Sequence, residues 1–317
     1  AKLASMVYES SLQKAIVVGS NLDGQVRYSS SDYIAKETEA LQWVQDFNQK
    51  TSAMPIDSHL KENILNEQYA YLNSEQRQAV ENLCSDKSLG VLIGRAGTGK
   101  TTTLKPVVDI YTQSNYKVIG LSLSAAAADN LKLEANCESE TIAFYLDKWE
   151  RLEAMQQRYW SIHPTHEHPG IVRELNKLMD YGLTKQHLVI VDEAGMVGTA
   201  QWHRLLHHIQ KAGAKPIAAG DDHQFKAMDA GDFFRKFTET AKAHNTLSTL
   251  SNIMRQEEPW MQEASVLFAE LKTYEALACY ENHGLVQKIA PGVEGIQLIA
   301  KHYMDKLLDN PEKTGLL

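Results

Sequence analysis

The sequence predicts an α/β fold, a parallel sheet flanked by helices and built around one phosphate-binding loop. Three observations carry this prediction. From residue 72 onward, short and nearly continuous apolar runs alternate with helix-length segments: Leu89–Ile93, Lys117–Leu121, Leu188–Val191 and Pro216–Ala219. Such runs suit strands covered on both faces, as in a parallel sheet. The first run leads directly into Gly94-Arg95-Ala96-Gly97-Thr98-Gly99-Lys100-Thr101, and Lys100–Tyr111 follows as a helix-length segment. Strand, glycine-rich loop and helix come in the order that a nucleotide site requires.

Residues 1–71 read as a small mixed region. Ala15–Val18 is strand-like, Asn21–Gly24 is a turn, and Val26–Tyr28 is a second strand. Ser30–Ser31 then offers a cap for a helix running through Ile34, Leu41 and Val44. Residues 72–250 form the α/β lobe, interrupted by a long polar and aromatic excursion over 146–186. Residues 251–317 read as a helical extension followed by the start of another α/β unit. Met261, Ala264, Leu267, Phe268 and Leu271 fall at helical spacing within it.

With 317 residues there is room for about two domains. The 43% hydrophobic and 23% charged composition suits a chain that buries a sizeable core. No apolar run reaches the roughly 18 residues of a membrane helix, so no membrane insertion is expected. The three cysteines (Cys84, Cys137, Cys279) lack metal-type spacing and read as reduced thiols, which suggests a cytoplasmic protein. A formal net charge of -8 argues against a broad basic face for duplex DNA, but is compatible with a narrow single-strand channel.

The loop fits G-x-x-x-x-G-K-[ST] at every fixed position. Glycines let successive backbone N–H groups turn inward around a β-phosphate, Lys100 supplies a cation for the β/γ oxygens, and Thr101 offers a hydroxyl to Mg²⁺. Gly94, Ala96, Gly97, Thr98, Gly99, Lys100, Thr101 and Thr102 are therefore the candidate ATP-binding residues. About ninety residues on, Leu188–Val191 ends in Asp192-Glu193. Asp192 can hold Mg²⁺ through water and Glu193 can polarise the attacking water. Gly220-Asp221-Asp222-His223-Gln224 follows a further apolar run; by itself it is only a turn, though an amide there can bond the γ-phosphate or the attacking water. Arg255 is likewise a lone arginine until the order of these segments is considered.

Taken in order, the segments resemble the motif set of superfamily 1 DNA helicases of the RecD-like kind. Leu72-Asn73-Ser74-Glu75-Gln76 is similar to the Q-type motif that opens that set. The resemblance implies that Gln76 reads the adenine edge, that Gln224 closes the G-D-x-x-Q motif, and that Arg255 in Met254-Arg255-Gln256 is an arginine finger. It also implies a RecA-like ATPase lobe. Gly220–Phe234, the Met254–Gln256 triplet, Ala276–Val286 and Gln25–Glu37 further resemble the helicase half of Ti-type TraA conjugative relaxases. That resemblance spans most of residues 12–290. It implies an ATP-dependent 5′ to 3′ helicase acting on single-stranded DNA during conjugative transfer, with other conjugation proteins as partners. Ser122, Ser124 and Thr141, in and after the segment similar to motif Ia, are the expected contacts to the DNA backbone.

Three positions depart from the family pattern. Asp222 stands where proline is usual, Met254 where a second arginine is usual, and Ala126 near where a lysine is common. The alanine run containing Ala126 reads equally well as simple helix packing. Motifs V and VI of a second lobe do not follow Arg255, and the family's relaxase half has no counterpart, so a fragment with weak or no turnover is expected. His163, His166 and His168 read as a solvated loop with at most adventitious metal binding. His203 and His207, one helical turn apart, read as helix surface because no third ligand is evident. Two other readings remain open: a RecD-like repair helicase, and a nucleotide-binding remnant without turnover.

Overall fold

The computed structural model describes residues 15–20, 26–51, 55–95, 97–161, 169–221, 233–252, 254, 258–286 and 293–309. The chain divides into two compact units, Ala1–Arg255 and Gln256–Leu317.

The first unit opens with an antiparallel ribbon of β1 (Ala15–Ser20) and β2 (Val26–Ser30), paired from Ala15↔Ser30 to Ser20↔Val26. Helix α1 (Ser31–Gln49) follows at once because the Ser30 hydroxyl accepts from Tyr33 N at 3.1 Å. Its buried residues Ala40, Val44 and Phe47 keep helical spacing and pack into the main core. Two further helices precede the sheet: α2 (Ser58–Gln68), capped by Asp57, and α3 (Ser74–Leu83), which starts with a reciprocal Asn73–Gln76 capping box.

The sheet has six strands, all parallel: β3 (Gly90–Gly94), β4 (Lys117–Ser122), β5 (Glu138–Thr141), β6 (His187–Val191), β7 (Lys215–Gly220) and β8 (Leu247–Leu250). Their spatial order is β5-β4-β6-β7-β3-β8. This is the α/β arrangement, a parallel sheet flanked by helices, that the sequence predicts. Every residue of β3, β6 and β7 is buried, which accounts for their unbroken apolar character. Alternate residues serve two separate cores. Val91, Ile93, Val189, Val191 and Ala218 face α1, α6 (Ile142–Ser161), α8 (Thr199–Ala212) and α9 (Phe233–Ala243). Leu92, Leu188, Ile190, Ile217 and Ala219 face α2, α3, α4 (Lys100–Gln113) and α5 (Ala125–Ala135).

Three features were not anticipated from sequence. Strands β5 and β8 are four residues each and polar in part, so they lack the apolar run that marks the inner strands. The 146–186 excursion contains the greater part of α6 and all of α7 (Pro169–Met179), joined by Arg151–Glu174 at 2.8 Å. Trp149 fixes the return to β6 by donating its indole N–H to Tyr181 O at 2.9 Å. His163, His166 and His168 lie outside the described residues.

In the second unit, α10 (Pro259–Ala269) and α11 (Thr273–Asn282) pack against each other, and α12 (Val293–Asp309) follows. Trp260 stacks on His283 with ring centroids 4.0 Å apart. Ala264 is buried, whereas Leu271 lies past the end of α10 and is exposed. Among the described residues, no helix is long and apolar enough to cross a membrane.

Candidate nucleotide site

The strand order sets the site. Strand β7 is inserted between β3 and β6, so the tip of β7 emerges between the glycine-rich loop and the acidic strand. A cleft of about 580 Å³ lies across these tips, lined by Gly97, Gly99, Lys100, Thr101, Thr102, Asp192, Glu193, Gly220, Asp221 and Met254, with Ala127, Asn130 and Glu134 from α5.

The loop takes its shape from left-handed backbone that strongly favours glycine. Gly97 and Gly99 both have φ +82°, and Gly99 is the N-cap of α4 without a side-chain cap. The first N–H groups of α4 therefore point toward the cleft, together with the positive end of the helix. A Cβ on Gly99 would also come within 2.5 Å of Gln76 Nε2. Thr98 is buried and its hydroxyl donates to Arg95 O at 2.9 Å, fixing the turn. Lys100 Nζ donates to Gly94 O at 2.6 Å and Arg95 O at 3.3 Å. Ala96 is outside the described residues.

Asp192 extends the β6 ladder by donating its N–H to Leu121 O at 2.9 Å, while its carboxylate accepts from Glu193 N at 2.9 Å. Burial raises the Asp192 pKa, against the opposing pull of the Glu193 N–H and of Lys100. Burial likewise raises Glu193, the Asp192 charge adds to it, and Lys100 opposes. Glu193 sits at φ 52°, ψ 36°, a left-handed conformation that costs a non-glycine residue free energy. The following turn, Ala194–Met196, presses on the tip of β7: a Cβ on Gly195 would lie 2.9 Å from Asp221 O. Asp221 is buried; Asp222 and Gln224 lie outside the described residues.

Gln76 is buried, with its amide oxygen accepting from Asn73 N at 3.3 Å and its nitrogen beside Gly99. The neighbouring Glu75 has a role that sequence reading missed. Its carboxylate accepts from Ser251 N at 2.9 Å, from the Ser251 hydroxyl at 2.5 Å and from Asn252 N at 3.1 Å. Burial pushes the Glu75 carboxyl up, and these three bonds outweigh it, so the net shift is downward. Beyond the clamp, Met254 N donates to Gly97 O at 2.8 Å. The unusual Met254 thus ties the segment to the loop through its backbone, which any non-proline residue can do. Arg255 and Gln256 lie outside the described residues.

The three expected DNA contacts have local partners or none. Ser124 caps α5, accepting from Ala127 N at 3.2 Å, and Thr141 accepts from Phe144 N at 3.2 Å at the start of α6. Ser122 is fully buried, and its hydroxyl has no partner among the described residues. Ala126 is exposed while Ala128 is buried, so packing accounts for the second and not for the first.

The donor set suits Mg²⁺: a threonine hydroxyl at the start of α4 and a carboxylate at the tip of β6 are hard oxygen ligands, and both line the cleft.

Residues 71–291 match the AAA_30 family, described as an AAA domain. The chain is 28% identical over 250 residues to a probable conjugal transfer protein TraA of Sinorhizobium fredii, covering 78% of this chain and 20% of that protein. It is 30% identical over 209 residues to the conjugal transfer protein TraA of Rhizobium radiobacter, covering 66% of this chain and 16% of that one. The matched region is therefore about a fifth or less of the length of these relatives. A solved structure of Pif1 helicases at forked duplex DNA aligns at a TM-score of 0.44 and 18% identity, over 66% of this chain and 51% of that chain.

Proposed function

Because the chain belongs to the AAA_30 family of AAA domains, we propose that it binds and hydrolyses Mg-ATP as the motor lobe of a DNA helicase working on single-stranded DNA in conjugative transfer. The observation that carries this is the cleft itself, where the Lys100 loop, the Asp192-Glu193 strand tip and the segment held by Met254 meet at the carboxyl ends of the inner strands. In this reading Lys100 and the α4 N-terminus hold the phosphates, and Gln76 contacts the adenine. Thr101 and Asp192 hold Mg²⁺, which screens the phosphate charge when bound.

Glu193 orients and deprotonates the attacking water, and its raised pKa suits a proton acceptor in a partly buried site. Gln224, four residues after β7 in sequence, senses the γ-phosphate on this account. Arg255, one residue beyond the Met254–Gly97 bond, stabilises charge that develops in the transition state. Residues 72–250 are the ATPase lobe, 1–71 a small preceding region, and 251–317 a helical extension that begins a second lobe. ATP binding then draws the lobes together and hydrolysis releases them, moving the grip along the strand in the 5′ to 3′ direction. Ser124 and Thr141 contact the DNA backbone on this account, whereas Ser122, expected from sequence to do so, is fully buried and does not reach it. A cytoplasmic location and contacts with other conjugation proteins follow from the same reading.

ATP turnover measured with and without single-stranded DNA tests the proposal. Turnover that rises with DNA supports the motor reading. Normal nucleotide affinity with no turnover, with or without DNA, favours the alternative of a nucleotide-binding remnant, to which the exposed Ala126 points.

A further inference from the structure

Away from the nucleotide cleft, three metal-ligating side chains converge between α6 and α8. Glu153 is on α6, and His207 and His208 are on α8, so the group joins segments more than fifty residues apart in sequence. Among the described residues it is the one cluster of three such side chains.

The two oxygens of Glu153 are divided in use. Oε1 accepts from Lys211 Nζ at 2.6 Å, which orients the carboxylate. Oε2 faces both imidazoles, 3.9 Å from His207 Nε2 and 4.0 Å from His208 Nδ1. Those separations are too long for hydrogen bonds, so the histidines do not simply donate to the carboxylate. All three ligand atoms lie within 4.8 Å of one another. A tetrahedral ion with bonds of about 2.0–2.2 Å holds its ligand atoms about 3.4 Å apart, so small side-chain rotations close the site. Consecutive residues on a helix diverge by about 100°, and these two meet because one presents Nε2 and the other Nδ1. His203, a turn earlier, is committed elsewhere: its Nε2 lies 2.8 Å from Glu39 and its ring packs on Trp43.

We propose that Glu153, His207 and His208 form a binding site for a divalent transition metal of the zinc class, with water completing a four-coordinate shell. Two nitrogens and one carboxylate oxygen favour zinc over magnesium. The ion fastens α6, the first helix of the excursion, to α8, which begins six residues after Glu193. The third ligand that sequence reading did not find for His207 is supplied by Glu153 together with the adjacent His208, and not by His203.

Titration of the full chain with Zn²⁺ by calorimetry, and with Co²⁺ by visible absorption, tests this. One ion per chain is expected, with a Tm rise of about 5 °C at a hundredfold excess over Kd. His207→Ala, His208→Ala and Glu153→Gln should each weaken binding at least tenfold. His203→Ala, and a variant with His163, His166 and His168 all changed to Ala, should keep it. Absence of binding by the unaltered chain would overturn the proposal. So would binding that survives His207→Ala, or that disappears when His163, His166 and His168 are changed. The His207 side chain is 44% exposed against 10% for His208, so His207→Ala decides the matter if His208→Ala does not fold.

Discussion

Glu75→Ala removes the clamp that holds the segment after β8 against the glycine-rich loop. Three hydrogen bonds converge on this carboxylate, from Ser251 N, the Ser251 hydroxyl and Asn252 N. A hydrogen bond to a buried charge contributes about 1.5–3 kcal/mol, but this group is largely solvated, so about 0.5 kcal/mol each is appropriate. Glu75 also lies in the first turn of α3, where its charge favours the helix dipole by about 0.3–1 kcal/mol. The substitution should therefore destabilise the protein by about 2 kcal/mol in urea unfolding. Its local effect is more telling. The Met254 N–H that donates to Gly97 O loses its anchor, and its hydrogen exchange should accelerate at least tenfold. Arg255 would be displaced with it, lowering any turnover at least tenfold while nucleotide affinity changes less than threefold. The pH dependence has a defined sign. The folded pKa of Glu75 lies below its ordinary value of about 4.5, so its contribution is complete above that pH and is lost as pH falls through the lower folded pKa. Unchanged Met254 exchange and unchanged stability would refute the clamp.

Two other outcomes follow from the geometry. Glu193→Gln should bind Mg-ATP as tightly as the unaltered chain and lose at least a hundredfold in any hydrolysis; retained turnover would show that another group activates the water. Lys215 is buried, donates to Leu83 O at 2.9 Å and Ser85 O at 3.0 Å, and has its pKa lowered to about 8 from 10.5 by burial. Between pH 8 and 10.5 the unfolded chain holds this proton and the folded chain does not, so stability rises with pH across that window. Relative to Lys215→Met, the unaltered chain should gain up to about 3 kcal/mol in denaturant unfolding between those limits, and a flat difference would refute the assignment.

The parts of the fold that were legible in sequence are those set by local physics. Strands β3, β6 and β7 are buried on both faces, so their apolar runs stand out, and the loop glycines mark φ values that side chains resist. The short strand β5 reads ESET and is exposed at alternate positions at the sheet edge, so burial leaves little mark on its composition. Within the 146–186 excursion, α6 buries Leu146, Trp149 and Leu152 at spacings of three, and the surrounding polar residues obscure that stripe. Glu75 could not be identified from its neighbours in sequence, because its partners are 176 and 177 positions away. His207 illustrates the same limit: its companions were visible as residue types, but the meeting of α6 with α8 had to be seen.

The central claim is that the cleft around Lys100 is a nucleotide site, and equilibrium binding of a fluorescent ATP analogue with and without Mg²⁺ tests it most directly. Saturable binding at one site per chain, strengthened by Mg²⁺ and weakened at least tenfold by Lys100→Ala, is the predicted result. Equal affinity in the unaltered chain and in Lys100→Ala would contradict it.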